Sequence, residues 1–171
     1  MIKKSLENAL NEQINAEFHS AYIYLSMSSY FLSVGLSGYA NWMRVQYQEE
    51  LAHATRFFDY VNERGGRVQL MPVNEVQVDF SGVVDVFEKT LEHEQMVTGM
   101  INKLMDISIQ ESDHATKSFL QWFVDEQVEE EANVEQILNN LKLIKGEGQG
   151  LLMMDREMQT RVFVNPFPAK A

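Results

Sequence analysis

The stretch QYQEELAHATRFFDYV, residues 46–61, combines an apolar helical stripe with an interruption made of metal-ligand residues. Phe57 and Tyr60 recur at the spacing of one helix face. Glu50 and His53 lie on the same face, one turn apart, and interrupt the apolar stripe. An isolated Glu-x-x-His spacing is common by chance. Its meaning therefore depends on whether the other helices carry matching interruptions.

Hydrophobic periodicity predicts a single all-α domain over residues 1–171, with four long helices, one long connection and one short terminal helix. The first helix is predicted over about 6–34 and the second from Ser37 to the glycines 65 and 66, followed by a crossover over 66–80. The third helix follows an N-cap at Ser81 and ends at a turn at 111–113, and the fourth ends before 146–150. A short fifth helix over about 151–162 and a tail over 163–171 complete the chain. The long crossover lets the second and third helices run parallel. The pattern predicts a four-helix bundle over about 6–145.

Every long helix has one interruption of this kind in its apolar stripe. The interrupting residues are Glu17 in the first helix, Glu50 and His53 in the second, Glu94 in the third, and Gln127 and Glu130 in the fourth. The predicted helix midpoints, at about residues 20, 51, 96 and 129, each lie within roughly one turn of the interruption. Because the midpoints of bundled helices meet whichever way the helices run, we expect these side chains in one layer.

Four glutamates in one apolar layer need a cationic partner, since an unpaired buried carboxylate costs on the order of several kcal/mol. No lysine or arginine lies on the predicted core stripes. Arg44 and Arg56 are each six residues from Glu50 and so lie roughly 120° away around the helix. A metal ion is the predicted neutraliser. Oxygen-rich ligation with a single imidazole favours iron or manganese over copper or a structural zinc.

The composition narrows the possible functions. The 171 residues include no cysteine, which excludes disulfides, thiolate zinc sites and cysteine-ligated iron–sulfur clusters. The formal net charge of -11 argues against a nucleic-acid partner, which needs a basic face. The sequence shows no apolar run of signal-peptide or membrane-spanning length, so we expect a cytoplasmic protein without a membrane partner.

Four motifs surround the interruptions. They are NEQINAEFHSAYIYLSMSSYF around Glu17, NWMRVQYQEELAHATRFFDYVNERGGRV around Glu50 and His53, EHE around Glu94, and FLQWFVDEQVEEE around Gln127 and Glu130. With these motifs the chain resembles the non-haem bacterial and archaeal ferritins over almost its whole length. The resemblance implies a ferritin-like bundle that oxidises Fe(II) with dioxygen or hydrogen peroxide. It also implies storage of Fe(III) in a hollow homo-oligomer, usually of twenty-four copies.

The resemblance further implies a ligand set for two iron ions in each subunit. One iron would be held by Glu17, Glu50 and His53, and the second by Glu50, Glu94 and Glu130, with Gln127 nearby. Glu50 would then bridge the two metals.

An accessory third iron site is implied at Glu49, Glu126 and Glu129, each of which is adjacent to a core ligand. The alternative interpretation of these three residues is a solvated acidic helix face. Tyr24 lies seven residues after Glu17 and is implied as a hydrogen-bond partner or electron donor near the irons. Trp122 is a similar candidate, although spacing alone explains either aromatic residue equally well as core packing.

Some positions distinguish the chain from neighbouring families. The fourth helix offers Gln127 and Glu130 where bacterioferritins and rubrerythrins have a second Glu-x-x-His, so the second iron is expected to be held more loosely. Leu51 stands where bacterioferritins have a haem-binding methionine, so no haem is expected. The remaining histidines fall off the core stripes and are predicted at the surface; they are His19, His93 and His114.

Two alternative functions stay open from the sequence. One is a structural iron-binding cage that does not oxidise iron, and the presence of the full ligand set argues against it. The other is a soluble di-iron oxidase that acts on a different substrate. It would require a second histidine ligand and a substrate channel, and the sequence indicates neither.

Overall fold

Five α-helices make up the regular structure of the protein, which is described by a computed structural model over residues 2–167. They are α1 (Lys4–Ser33), α2 (Ser37–Glu63), α3 (Val83–Gln110), α4 (His114–Leu143) and α5 (Gly148–Met158). Residues 2–167 contain no strand. The segment between α2 and α3 contains no helix, which confirms the long crossover.

Two apolar clusters fill the bundle, one toward each end. The first joins the later part of α1, the beginnings of α2 and α3, the later part of α4, and α5. The second joins the beginning of α1, the later parts of α2 and α3, and the beginning of α4. Since α2 and α3 begin in the same cluster, they run parallel, whereas α1 and α2 run antiparallel. The predicted ferritin-like four-helix bundle with a short fifth helix is confirmed.

The helix ends are fixed by local interactions. Gly35, with φ +79°, accommodates the left-handed turn that follows α1. Asp113 caps α4 by accepting a hydrogen bond from the backbone N–H of Thr116 at 3.0 Å. The same carboxylate forms an ion pair with the guanidinium of Arg64 at 2.8 Å, and this pair links the end of α2 to the start of α4. The predicted turn at 111–113 is therefore also a contact between helices.

The prediction of Ser81 as the N-cap of the third helix is wrong. The helix begins at Val83, and Gly82 is the N-cap. The backbone N–H of Ser81 donates a hydrogen bond to the carboxylate of Asp85 at 2.9 Å. An acidic side chain in the first turn thus reaches back to the preceding loop, and the serine hydroxyl is not used as the cap.

The fifth helix covers Gly148–Met158, whereas the sequence predicted about 151–162. Residues 161–165 have no regular structure, and the side-chain amide of Asn41 on α2 binds backbone carbonyl groups just before and at the start of this stretch. Its Nδ2 atom donates to the carbonyl oxygens of Met158 at 3.1 Å and Arg161 at 2.9 Å. The predicted tail begins within the described residues, but its end, 168–171, lies outside them.

The docking of α5 depends on one close backbone contact with α2. Asp155 accepts hydrogen bonds from the backbone N–H groups of Gly38 at 2.8 Å and Tyr39 at 3.1 Å, so a residue of α5 caps the first turn of α2. A Cβ atom added at Gly38 would lie 1.6 Å from the carbonyl oxygen of Asp155. Only glycine permits this approach.

None of the helices within residues 2–167 is both long enough and apolar enough to cross a lipid bilayer.

We expect Gly38→Ala to undock α5 and to lower the free energy of unfolding by about 2 kcal/mol, because the added methyl overlaps the backbone and the cap from Asp155 is lost. Limited proteolysis of residues 144–167 and the thermal midpoint measure these effects. Gly99→Ala on α3 is the matched control, since a Cβ there meets no atom within 4 Å. It should stabilise the protein by up to about 1 kcal/mol. Equal protease resistance of the two variants would contradict the role of the contact.

Candidate metal centre

A layer of buried polar side chains separates the two apolar clusters at mid-bundle. Each side chain is between 1% and 6% exposed, and the layer comprises Glu17, Glu50, His53, Glu94, Gln127 and Glu130. All six residues come from the predicted interruptions of the helical stripes. The structure thus places every one of these predicted site residues in the core, at one depth, with helices α1 to α4 all contributing.

Glu17, Glu50 and His53 form a compact group of potential ligands. Their ligand atoms all lie within 4.8 Å of one another. The Nδ1 atom of His53 is 3.6 Å from Glu50 Oε2 and 4.0 Å from Glu17 Oε2. Gln13 donates a hydrogen bond from Nε2 to the other oxygen of Glu17 at 2.7 Å and so orients that carboxylate. One imidazole nitrogen and two carboxylates therefore face a common point.

Glu94 is held by neutral hydrogen-bond donors. Tyr24 donates its hydroxyl proton to Glu94 Oε1, and Gln127 donates from Nε2 to Glu94 Oε2 at 3.1 Å. Gln127 also reaches the hydroxyl of Thr98 at 3.3 Å. Burial, followed by the nearby charge of Glu94, raises the pKa of Tyr24 well above its usual value. Tyr24 therefore remains a neutral donor beside the centre.

Glu130 completes the layer from α4. Gln46 on α2 donates a hydrogen bond to Glu130 Oε2 at 3.0 Å. Among residues 2–167, Glu94 and Glu130 do not join a second group of three ligands as compact as the one around His53. The two halves of the layer are therefore unequal, one closely gathered and the other more open.

Burial disfavours the charged form of every carboxyl group in this layer. It raises the pKa of Glu17 and Glu50 well above the usual value, and neighbouring carboxylates, Glu50 and Glu94 respectively, raise them further. The pKa of Glu94 is also raised by burial. The pKa of Glu130 rises to about 8, through burial and then the charge of Glu94. Burial therefore favours the protonated form of all four groups, and Glu130 keeps its proton at neutral pH when no cation is bound.

Aromatic rings cover the side of His53 that faces away from the carboxylates. The imidazole lies edge-on to Trp122 at 5.5 Å and to Phe123 at 5.8 Å between ring centroids. Phe167 approaches it at 6.2 Å from the C-terminal segment. The Nε2 atom is buried and has no hydrogen-bond partner among the described residues. Trp122 therefore packs at the centre as the sequence suggested, whereas Phe167 was not predicted.

The predicted accessory residues lie beside the centre, and the structure gives one of them a cationic partner. Glu49 and Glu126 are half-buried and Glu129 is exposed. Arg161 binds Glu49 at 2.7 Å. Burial raises the pKa of Glu49, and the charge of Arg161 opposes that rise. The sequence does not indicate this ion pair, because Arg161 follows α5 and lies on none of the apolar helical stripes from which cations near the centre were predicted.

The prediction of surface positions for the three other histidines is wrong for one of them. His93 is 9% exposed and its Nε2 atom lies 2.8 Å from the hydroxyl of Ser20. Burial lowers the pKa of His93 to about 4, so this imidazole is neutral. His19 is half-buried and His114 is exposed. His93 is buried because α3 contacts α1 on one side and α4 on the other, so its buried face is wider than a single stripe.

Comparison with known proteins agrees with this geometry. The chain matches the family described as "Ferritin-like domain" over residues 7–144. It is similar to a bacterial non-heme ferritin of Bacteroides fragilis (strain 638R), at 42% identity over 161 residues, which covers 94% of this chain and 100% of that protein.

Two solved structures show the same fold at higher identity. A closed form of the Archaeoglobus fulgidus ferritin, engineered by site-directed mutagenesis, is similar with a TM-score of 0.94 and 51% identity over 96% of this chain and 100% of that chain. An open-pore ferritin from the same archaeon gives a TM-score of 0.93 and 51% identity, covering 95% and 100%. The family match and these identities extend over nearly the whole sequence. The chain therefore belongs to the ferritins, a family of iron-storage proteins.

Proposed function

We propose that the protein is a ferroxidase and iron store, which oxidises Fe(II) at a paired site within each subunit and keeps Fe(III) as mineral inside a homo-oligomeric shell. The observation that carries the proposal is a buried layer that contains four carboxyl groups. Among residues 2–167, no lysine or arginine lies within ion-pairing distance of any of these four groups. Divalent metal ions are the cations that suit such a layer.

The ligand assignment follows the two unequal halves of the layer. Glu17, Glu50 and His53 would bind the first iron, and their compact arrangement supports this. Glu50, Glu94 and Glu130 would bind the second, with Gln127 nearby. Glu50 is the shared ligand in this assignment because its charge interacts with both Glu94 and Glu130 and its carboxylate lies 3.6 Å from His53.

The chemistry is a two-electron oxidation. Two Fe(II) ions each give up one electron, and dioxygen takes both electrons with two protons to become hydrogen peroxide. If hydrogen peroxide is the oxidant, the same two electrons and two protons give two water molecules. Iron binding displaces protons from the carboxyl groups, since a metal needs the ionised ligands. Tyr24 keeps Glu94 oriented during this exchange through its hydrogen bond.

The two halves of the layer offer unequal ligand sets, and this inequality suits a site that releases iron after oxidation. The first half holds a nitrogen ligand and is closely gathered, whereas the second half has only oxygen ligands and a glutamine, Gln127, that cannot carry a negative charge. We therefore infer that the second iron is bound more weakly and leaves first. The accessory iron predicted at Glu49, Glu126 and Glu129 is not part of this proposal, because Glu49 already pairs with Arg161 at 2.7 Å.

An organic substrate for the centre receives no support from the cavities. Three cavities with volumes of about 390, 340 and 260 Å³ lie near α5, under the crossover and along α2, and no ligand of the proposed centre lines any of them. Small reactants such as Fe(II) and dioxygen need no such space. The absence of haem, inferred from Leu51, and a cytoplasmic location both stay predictions.

Exposed apolar side chains support assembly into a shell. Leu143 is 83% exposed, and Val162 and Val164 are each 73% exposed on a single chain. Such residues favour burial between subunits. The proposal is a homo-oligomer of the size usual in the family, twenty-four copies.

We expect anaerobic addition of Fe(II) followed by air to give a rapid absorbance rise that saturates near two irons per subunit, before slower mineral growth. Glu50→Gln should slow this phase by at least about 100-fold, because both metals lose a charged ligand. Stopped-flow absorbance measures the rates. Glu129→Gln, at an exposed neighbouring position, is the control and should stay within about twofold. Equal slowing in both variants would overturn the shared-ligand assignment.

The raised pKa of Glu130 predicts that the metal-free protein loses stability as pH rises from 5 to 8. The folded state keeps a proton up to about pH 8, whereas the unfolded state releases it near its ordinary pKa of about 4.5, so the unfolding free energy falls across this window. Glu130→Gln removes this loss. Between pH 5 and pH 8, its free energy of unfolding should therefore rise by about 3 kcal/mol relative to that of the parent.

Thermal unfolding in the presence of a chelator at pH 5 and pH 8 makes this comparison. Glu129→Gln again serves as control, because it is the same substitution at an exposed position outside the layer. A pH-independent difference for Glu130→Gln would contradict the protonated state of this carboxyl group.

Assembly is tested independently of chemistry. Gel filtration and electron microscopy should show a hollow particle many times larger than one 19.8 kDa chain. A monomer or dimer that still oxidises iron would exclude the storage function and favour a soluble oxidase.

A further inference from the structure

The C-terminal segment 159–167 lies along α2 and crosses the side of the metal centre. The start of the segment is held by Asn41 of α2, whose side-chain amide donates a hydrogen bond to the carbonyl oxygen of Arg161 at 2.9 Å. It ends at Phe167, whose ring is 6.2 Å from the ring of His53 and 6.0 Å from the guanidinium of Arg56. From Asn41 to Arg56 the segment follows about 22 Å of the helix. It is therefore anchored at both ends.

Arg161, in this segment, is fixed by three contacts. Its guanidinium lies over the ring of Trp42 at 4.6 Å from the centroid. Its Nη1 atom donates to the carbonyl oxygen of Trp42 at 3.4 Å, and its Nη2 atom donates to Glu49 Oε2 at 2.7 Å. The side chains of Arg161 and Glu49 are only 26% and 18% exposed. The charge is thus held in one place and partly shielded from solvent.

The surroundings of this guanidinium are otherwise acidic. Glu49 is adjacent in sequence to Glu50 and interacts electrostatically with Glu126, which in turn interacts with Glu129. Among the described residues, Arg161 is the cation that forms an ion pair with this group. A positive charge already occupies the position beside Glu49.

We propose that Arg161 takes the place of an accessory metal ion at Glu49 and so limits each subunit to two bound metals. The expected number of two bound metals per subunit rests on the paired site of the proposed function. A divalent ion at Glu49 would lie within a few ångströms of a fixed guanidinium, where repulsion in a partly buried position is strong. Binding such an ion requires Arg161 to leave both Glu49 and Trp42.

Zn(II), which is not oxidised, serves as the probe in isothermal titration calorimetry of the assembled, metal-free protein. The parent should bind two ions per subunit. Arg161→Gln should bind three, with the third lost again in the double variant Arg161→Gln, Glu49→Gln. Arg156→Gln, which removes an exposed arginine of α5, is the matched control and should bind two.

Three ions in the parent, or two in Arg161→Gln, would overturn the role of Arg161. Failure of the parent to bind any Zn(II) would instead overturn the proposed paired site, so the two failures are distinguishable. Gel filtration of each variant establishes that the assembled particle is the species titrated.

Discussion

The burial of four carboxyl groups in the middle of an apolar bundle is the constraint on which the rest of this structure depends. Two apolar clusters fix the helices on either side of the layer, so the bundle cannot relax by exposing it. The side chains that contact the carboxyl groups are neutral donors, such as Gln13, Gln46 and Tyr24. These donors set the orientation of the carboxyl groups and supply no positive charge. The fold therefore holds the geometry of the site ready, and a bound cation would replace the protons that burial favours on these carboxyl groups.

Much of the fold and of the centre was predictable, because both depend on periodicity within single helices. A polar residue such as Glu94 in an otherwise apolar stripe is visible without knowledge of its neighbours. The same method misplaced His93, since a helix that packs against two others buries more than one stripe. It also missed Gln13, although this residue lies one turn from Glu17 and a search for polar partners at that spacing would have found it.

The residues that follow α5 were beyond prediction for a different reason. The positions of Arg161 and Phe167 depend on where α5 docks, and docking depends on a backbone contact between Gly38 and Asp155. An extended segment has no internal periodicity, and its path is decided by the partners it meets, here the amide of Asn41 and the ring of Trp42. Such contacts join residues more than a hundred positions apart and leave no local pattern.

The extended segment along α2 also separates two kinds of sequence change. The proposed ligands sit on four packed helices, where substitutions disturb the core. Arg161 and Phe167 sit on a chain without secondary structure, which tolerates insertion, deletion and exchange far more readily. Substitutions within the segment 159–167 can therefore change the charge beside the centre while the ligand layer on the four helices stays intact.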